Sequence, residues 1–275
     1  MKDKKNSKLA LFFLATKKEV KKDLVNRALE NYFKNLNSTK TVDVFIALDY
    51  LLHRNSNFMA SLKNFAKNHD NINNIYFIAS GDHPKRNIYI QTNISISLKE
   101  YPMGRSHGIN YLFYATLNEL FKKPYENYLL LETDTKPMKN DWLDVVYDFC
   151  DKDFCIAGSI YKGLNKDEVY KQYYGHHLNG VAIYKNSLET KSILNGSCEL
   201  LKKELLSDVD KKYNNFMNYD VAIYLYCKQN ENYLKRCVDT DFITNCSSGI
   251  NKDYSLEKIM EEYPETRILH KKNLY

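Results

Sequence analysis

The tightest constraint on this chain is a change of hydrophobic period that repeats through its first half. Residues 8–16 (KLALFFLAT) form an almost unbroken apolar run of strand length, and a strand apolar at nearly every position has to be covered on both faces. Residues 18–36 then carry Val20, Leu24, Ala28, Leu29 and Phe33 at helical spacing, which predicts a single amphipathic helix. The unit recurs. Residues 41–49 (TVDVFIALD) read as a strand, 57–68 as a helix with Met59, Leu62 and Phe65 inward, and 74–80 (NIYFIAS) as a strand. After an Ile-rich polar stretch, residues 104–122 present a helical face of Ile109, Leu112, Phe113, Thr116 and Leu120, and 128–131 (YLLL) a further strand. Strands that alternate with helices predict an α/β fold, a mostly parallel central sheet with helices on both faces.

Ligands of such sheets bind beyond the carboxyl ends of the strands. In this chain those positions hold Thr16, Asp49, Gly81 with Asp82, and Glu132-Thr133-Asp134. Two other ways of holding a nucleotide fail. No Gly-x-Gly-x-x-Gly follows the first strand, and no Gly-x-x-x-x-Gly-Lys-Ser/Thr occurs among only 9 glycines. Phosphates would therefore need another counter-charge. Glu132 and Asp134, two residues apart after a hydrophobic strand, can point the same way into the crevice and offer hard oxygen ligands to Mn2+ or Mg2+. Pro137 is expected to end that strand and Trp142 to start an amphipathic helix with Leu143 and Val146. Further on, Asn179-Gly180 precedes a strand (VAIY), and Asp220 opens an apolar helical segment (NYDVAIYLY). A carboxylate there can cap the helix or act as a general base.

Composition excludes several classes. With 44% hydrophobic and 27% charged residues in 275, the chain is globular. The net charge of +6 comes from lysines interleaved with acids, so a nucleic-acid partner is not expected. The longest apolar run near the start is too short for a membrane span and no cleavage site follows it. The six cysteines lack zinc-ligand spacing and form no evident disulfide framework. These features predict a cytoplasmic protein. No linker composition divides residues 1–275, which are read as one domain with two halves, about 8–135 and about 136–275.

The order GRSHGINYLFYATLNELF, YENYLLLETDTKPMKNDWL, HHLNGVAIY, NYDVAIYLY, ILHKKN resembles the GT-A-fold nucleotide-sugar glycosyltransferases, including viral and bacterial relatives with a Glu-x-Asp or Asp-x-Asp signature. The resemblance runs over about residues 8–274, and its weight lies in order and spacing. It implies a hexosyl- or pentosyltransferase that uses a nucleoside diphosphate-sugar, a UDP-sugar favoured, and a glycan or other hydroxyl acceptor. It implies that Asp134 ligates the metal, that His270 completes the shell, and that Glu132 ligates or holds ribose or a metal-bound water. It places the Asn179-Gly180 turn where donor sugar and acceptor meet, with Gly180 letting the backbone approach a ligand, and Asp220 is the candidate general base or acceptor-hydroxyl ligand on that side. Thr16, Asp49, Arg105 and Lys272 are the positional candidates for nucleobase or phosphate contacts, and residues 162–174 a candidate lid. Inversion and retention of the anomeric centre are both open. A sugar-phosphate nucleotidyltransferase would need a glycine-rich loop with an arginine after the first strand, which ATKKEVKKD lacks. Two rivals remain, a nucleotide-sugar or carbohydrate-binding module whose site has decayed, since Glu stands first in the signature, and a structural or interaction protein.

Overall fold

In the computed structural model, residues 7–79, 103, 106–162, 177–206, 217–246 and 255–271 are described. Strand β1 (Ser7–Ala15) is an interior strand of a seven-stranded sheet. It pairs in parallel with β2 (Val42–Leu48) on one side and β4 (Tyr125–Leu131) on the other, and β3 (Ile72–Ala79) adds in parallel beyond β2. The registers Ala15 to Leu48 and Phe13 to Leu131 bring the carboxyl ends of the three inner strands to one edge. Thr16, Asp49 and Glu132 follow at that edge.

The unbroken apolar run of β1 has the predicted consequence. Leu9, Leu11 and Phe13 face one core and Ala10 and Phe12 the opposite one, all but completely buried, as the period of two requires. The first core is closed by α2 (Leu24–Phe33), α3 (Ser56–Lys67) and α5 (Trp142–Phe149). Trp142, the largest fully buried side chain, donates its indole N–H to the Tyr32 carbonyl at 3.0 Å. The second core is closed by α4 (His107–Leu120), α6 (Leu188–Leu206) and α7 (Tyr219–Lys228).

The second half extends the sheet with a change of direction. Strand β7 (Ala182–Lys185) runs antiparallel to β4, β6 (Ile156–Gly158) is antiparallel to β7, and β8 (Cys237–Asp239) is parallel to β6, giving the order β3-β2-β1-β4-β7-β6-β8. A separate small sheet has the order β5-β10-β9, from β5 (Thr135–Pro137), β10 (Ile268–His270) and β9 (Ile243–Asn245). Two short helices, α8 (Glu231–Lys235) and α9 (Leu256–Glu262), complete the described elements.

Two expectations need correction. The single helix over residues 18–36 is two, α1 (Lys17–Lys21) and α2, because Asp23 between them adopts a left-handed φ of 57°. Such a residue breaks the helical ladder, and Asp tolerates the conformation better than most. Pro137 does not end the strand that carries LLL. That strand stops at Leu131, and Pro137 ends β5 of the small sheet instead.

Candidate active site

The signature Glu132-Thr133-Asp134 lies in the turn between β4 and β5. The turn is tied by Thr135, whose backbone N–H and hydroxyl both donate to the Glu132 carbonyl, at 3.1 and 2.6 Å. Beyond it, β5 pairs antiparallel with β10, and the register sets His270 opposite Thr135. The Lys271 N–H donates to the Asp134 carbonyl at 3.2 Å. This pairing carries a histidine from late in the sequence to the signature. Its Nε2 lies 3.2 Å from Asp134 Oδ1 and 3.4 Å from Glu132 Oε2.

One ligand atom from each of Glu132, Asp134 and His270 falls within 4.8 Å of the others. Two carboxylates and an imidazole are a hard oxygen and nitrogen set that suits Mn2+ or Mg2+. The two acids are a third exposed, at 34% each, and the imidazole is buried at 4%, so the set opens to solvent on its carboxylate side. Burial alone would pull the His270 pKa down, but the carboxylates of Glu132 and Asp134 outweigh it and hold the imidazole up at about 10. Without a metal, the His270 proton is the cation that balances the pair.

A second carboxylate system supports the first. Thr16 caps α1 in a capping box: its hydroxyl accepts the Glu19 N–H at 3.3 Å, and its own N–H donates to Glu19 Oε2 at 2.9 Å. The other oxygen of Glu19 accepts the Thr133 hydroxyl at 2.5 Å. Glu19 therefore pins the end of β1 to the middle of the signature. Burial raises the pKa of its carboxyl, against the hydrogen bonds from Thr133 and Thr16, and the charge of Glu132 adds to the rise. The sequence reading missed Glu19, although its signal was present as Thr-x-x-Glu at the start of a helical pattern.

The crevice lined by Thr16, Glu19, Glu132, Asp134 and His270 is also lined by Asn179, Tyr219 and Asp220. Asp220 sits in the first turn of α7, its Oδ1 accepting the Val221 N–H at 2.9 Å and its Oδ2 3.6 Å from His177 Nε2. His177 is buried at 7%, and its meeting with Asp220 had no pattern in the sequence. Asn179 turns its side-chain oxygen to the Val181 N–H at 3.1 Å, and its own N–H donates to the Ser159 carbonyl at 3.0 Å.

Gly180 has a packing role that its turn position does not signal. A Cβ at this position would lie 2.0 Å from the Tyr219 hydroxyl and 2.8 Å from its Cζ. The glycine makes room for the Tyr219 ring, which stacks on Phe113 with centroids 3.7 Å apart. Of the positional candidates, Thr16 lines the crevice, but its N–H and hydroxyl are engaged by Glu19. Asp49 is buried at 1% and turned onto the following turn, where it accepts the Tyr50 N–H at 2.6 Å, outside the crevice lining. Arg105, Lys272, His176 and residues 163–174 of the candidate lid lie outside the described residues. The six cysteines are free, and no helix among the described residues is long and apolar enough to cross a membrane.

No family model matches the sequence, and no curated protein matches it. Solved structures do. The apo bifunctional glycosyltransferase WbbM aligns with a TM-score of 0.54 at 12% identity over 98% of this chain and 46% of its own. Apo mouse xyloside xylosyltransferase 1 gives 0.52 at 12% over 96% of this chain and 97% of its own. Apo GlyE, a glycosyltransferase of Streptococcus pneumoniae, gives 0.50 at 12% over 96% and 54%. This chain thus spans about half the length of WbbM and of GlyE and nearly all of the xylosyltransferase. Its mixed sheet, with helices on both faces and an acidic turn after the fourth strand, has the GT-A-type glycosyltransferase fold.

Proposed function

We propose that this protein is a metal-dependent glycosyltransferase that moves a sugar from a nucleoside diphosphate-sugar, a UDP-sugar favoured, to an acceptor hydroxyl in glycan synthesis. The observation that carries the reading is the convergence of Glu132, Asp134 and His270 in one crevice with Asn179 and Asp220. An acid pair alone is a common surface feature. An acid pair met by a buried imidazole at 3.2 and 3.4 Å is not.

Glu132, Asp134 and His270 would hold Mn2+ or Mg2+, which when bound supplies positive charge against a departing diphosphate. Glu19 keeps the signature turn fixed to β1 through Thr133 and Thr16, so that the ligands need little reorganisation. Asp220 stands at the acceptor side with a carboxylate oriented by the Val221 N–H and His177. There it takes the proton of the acceptor hydroxyl or fixes the hydroxyl by a hydrogen bond. The anomeric proton signal of the product separates these roles: an inverted centre assigns proton transfer to Asp220, and a retained one assigns positioning.

The test is a thermal-shift screen of UDP, GDP and other nucleoside diphosphates, each with and without Mn2+, on the parent and on Asp134→Ala. The expected result is stabilisation by one base that requires Mn2+ and is lost in the variant, about 2.7 kcal/mol at a ligand concentration one hundred times Kd. Transfer that persists at full rate in Asp134→Ala would overturn the reading.

A further inference from the structure

Beside the crevice lies a second, narrow cavity of about 80 Å3. Asn179 and Asp220 line both, so the two adjoin at the Asp220 carboxylate. The character changes there. The walls of the second cavity include Ile156, Leu178, Ile223 and Leu234, with the thiols of Cys227 and Cys237. The two sulfurs are 3.5 Å apart, and their hydrogen bond together with burial keeps the Cys237 thiol protonated. It therefore presents a neutral, polarizable surface.

The polar groups at its edge are largely committed. The Tyr184 hydroxyl donates to the Gly180 carbonyl at 3.0 Å, and Asp239 accepts the Ile160 N–H at 3.1 Å and pairs with Lys162 at 3.5 Å. A sugar ring lodged here would set hydroxyls against aliphatic walls, at about 1–3 kcal/mol for each one left without a partner. A hydrocarbon has no hydroxyls to leave unpaired, and its own cost is the ordering of the chain.

We propose that this cavity receives an aliphatic chain attached to the acceptor next to the hydroxyl that Asp220 holds, so that the acceptor is an alkyl-bearing molecule and not a bare sugar. The inference rests on the glycosyltransferase reading and deepens it. An acceptor whose hydroxyl meets Asp220 can extend into this cavity on the side away from Glu132, Asp134 and His270. The cavity's mouth includes Leu234, which is 36% exposed and among the few large apolar side chains left open on the described surface.

The experiment is calorimetric binding of n-alkyl β-D-glucopyranosides from methyl to octyl, below their micelle concentrations, with phenyl β-D-glucopyranoside for comparison. The Kd should fall by about fourfold for each added methylene until the cavity is full. The dependence on chain length should flatten in Ile223→Asp, and in Leu234→Asp, whose exposure lets the variant fold. Melting curves of both variants check folding. A flat series in the parent, an unchanged slope in a folded Leu234→Asp, or tighter binding of the phenyl than of the hexyl glycoside would overturn the proposal. The UDP and Mn2+ thermal shift is measured alongside. A nucleotide response with a flat series removes the alkyl site alone, whereas a steep series without any nucleotide response removes the acceptor role and the enzyme reading with it.

Discussion

Gly180→Ala tests whether the glycine of the Asn-Gly turn serves a ligand or the fold. The added Cβ would start 2.0 Å from the Tyr219 hydroxyl, where ordinary contact begins at 3.4 Å, so the ring edge has to retreat by about 1.4 Å. Its retreat is blocked by Phe113, stacked at 3.7 Å, and Tyr219 is buried at 6%. Overpacking of this kind costs about 1–3 kcal/mol. At about 2–4 °C per kcal/mol, the melting temperature should drop by roughly 2–12 °C. Asp220 is the next residue along α7, so a shift of about 1 Å at Tyr219 carries to the Asp220 carboxylate and, on the proposed function, should lower turnover by about 100-fold. Differential scanning calorimetry and a transfer assay measure the two effects. Tyr219→Phe removes the atom that clashes most closely, and in the Gly180→Ala background it should recover part of both losses, a coupling that a double-mutant cycle reads directly. An Ala variant that melts with the parent and is weakened only in ligand binding would refute the packing argument and restore the ligand-approach role for this glycine.

Three shorter predictions concern the signature turn. His270→Gln should destabilise the metal-free protein: a pKa raised from 6.5 to about 10 sets an upper bound of about 5 kcal/mol, and screening at the partly exposed carboxylates reduces this to about 2–4 kcal/mol. Because the folded-state pKa is raised, this contribution is fully present below pH 6.5 and is lost as the pH climbs through about 10. The gap in melting temperature between parent and variant should therefore be wide at pH 6 and narrow toward pH 10, and a gap independent of pH would contradict the ion-pair account. Thr133→Val takes the hydroxyl donor from Glu19 and should cost about 1–3 kcal/mol by urea unfolding, together with weaker Mn2+ binding. Thr16→Ala breaks the capping box and should cost about 1 kcal/mol in the same assay.

What the sequence made legible, and what it did not, follows from the range of the interactions. Strands β1 to β4 lie within a few residues of their expected positions because each is an apolar run bounded by polar residues, a local signal. The first-half helices were found by the same means, except where Asp23 turned left-handed and split one pattern in two. The acids at 132 and 134 were visible as a pair after a hydrophobic strand. Their meeting with His270 was available only through family resemblance, since nothing local in ILH says which strand it will pair with. The small sheet, the antiparallel return through β7 and β6, and the contact of His177 with Asp220 depend on pairings between segments far apart in the chain. Glu19 is the opposite case: its capping signal was local, but its contact with Thr133 needed the packed sheet.

The pairing of Thr135 with His270 makes the ligand set conditional on a piece of structure that is not itself in the crevice. Strand β10 is held between β5 and β9, so an opening of that small sheet withdraws the imidazole while the two carboxylates stay on the end of β4. The affinity for a cation would then report the closing equilibrium of the sheet as well as the chemistry of the ligands. Residues of β9 such as Thr244, buried and bonded to Thr266 at 2.7 Å, become remote controls on the site. Loosening them would scatter the population of complete sites without touching a single ligand, and cation affinity could be tuned over a graded range from buried positions that line no part of the crevice.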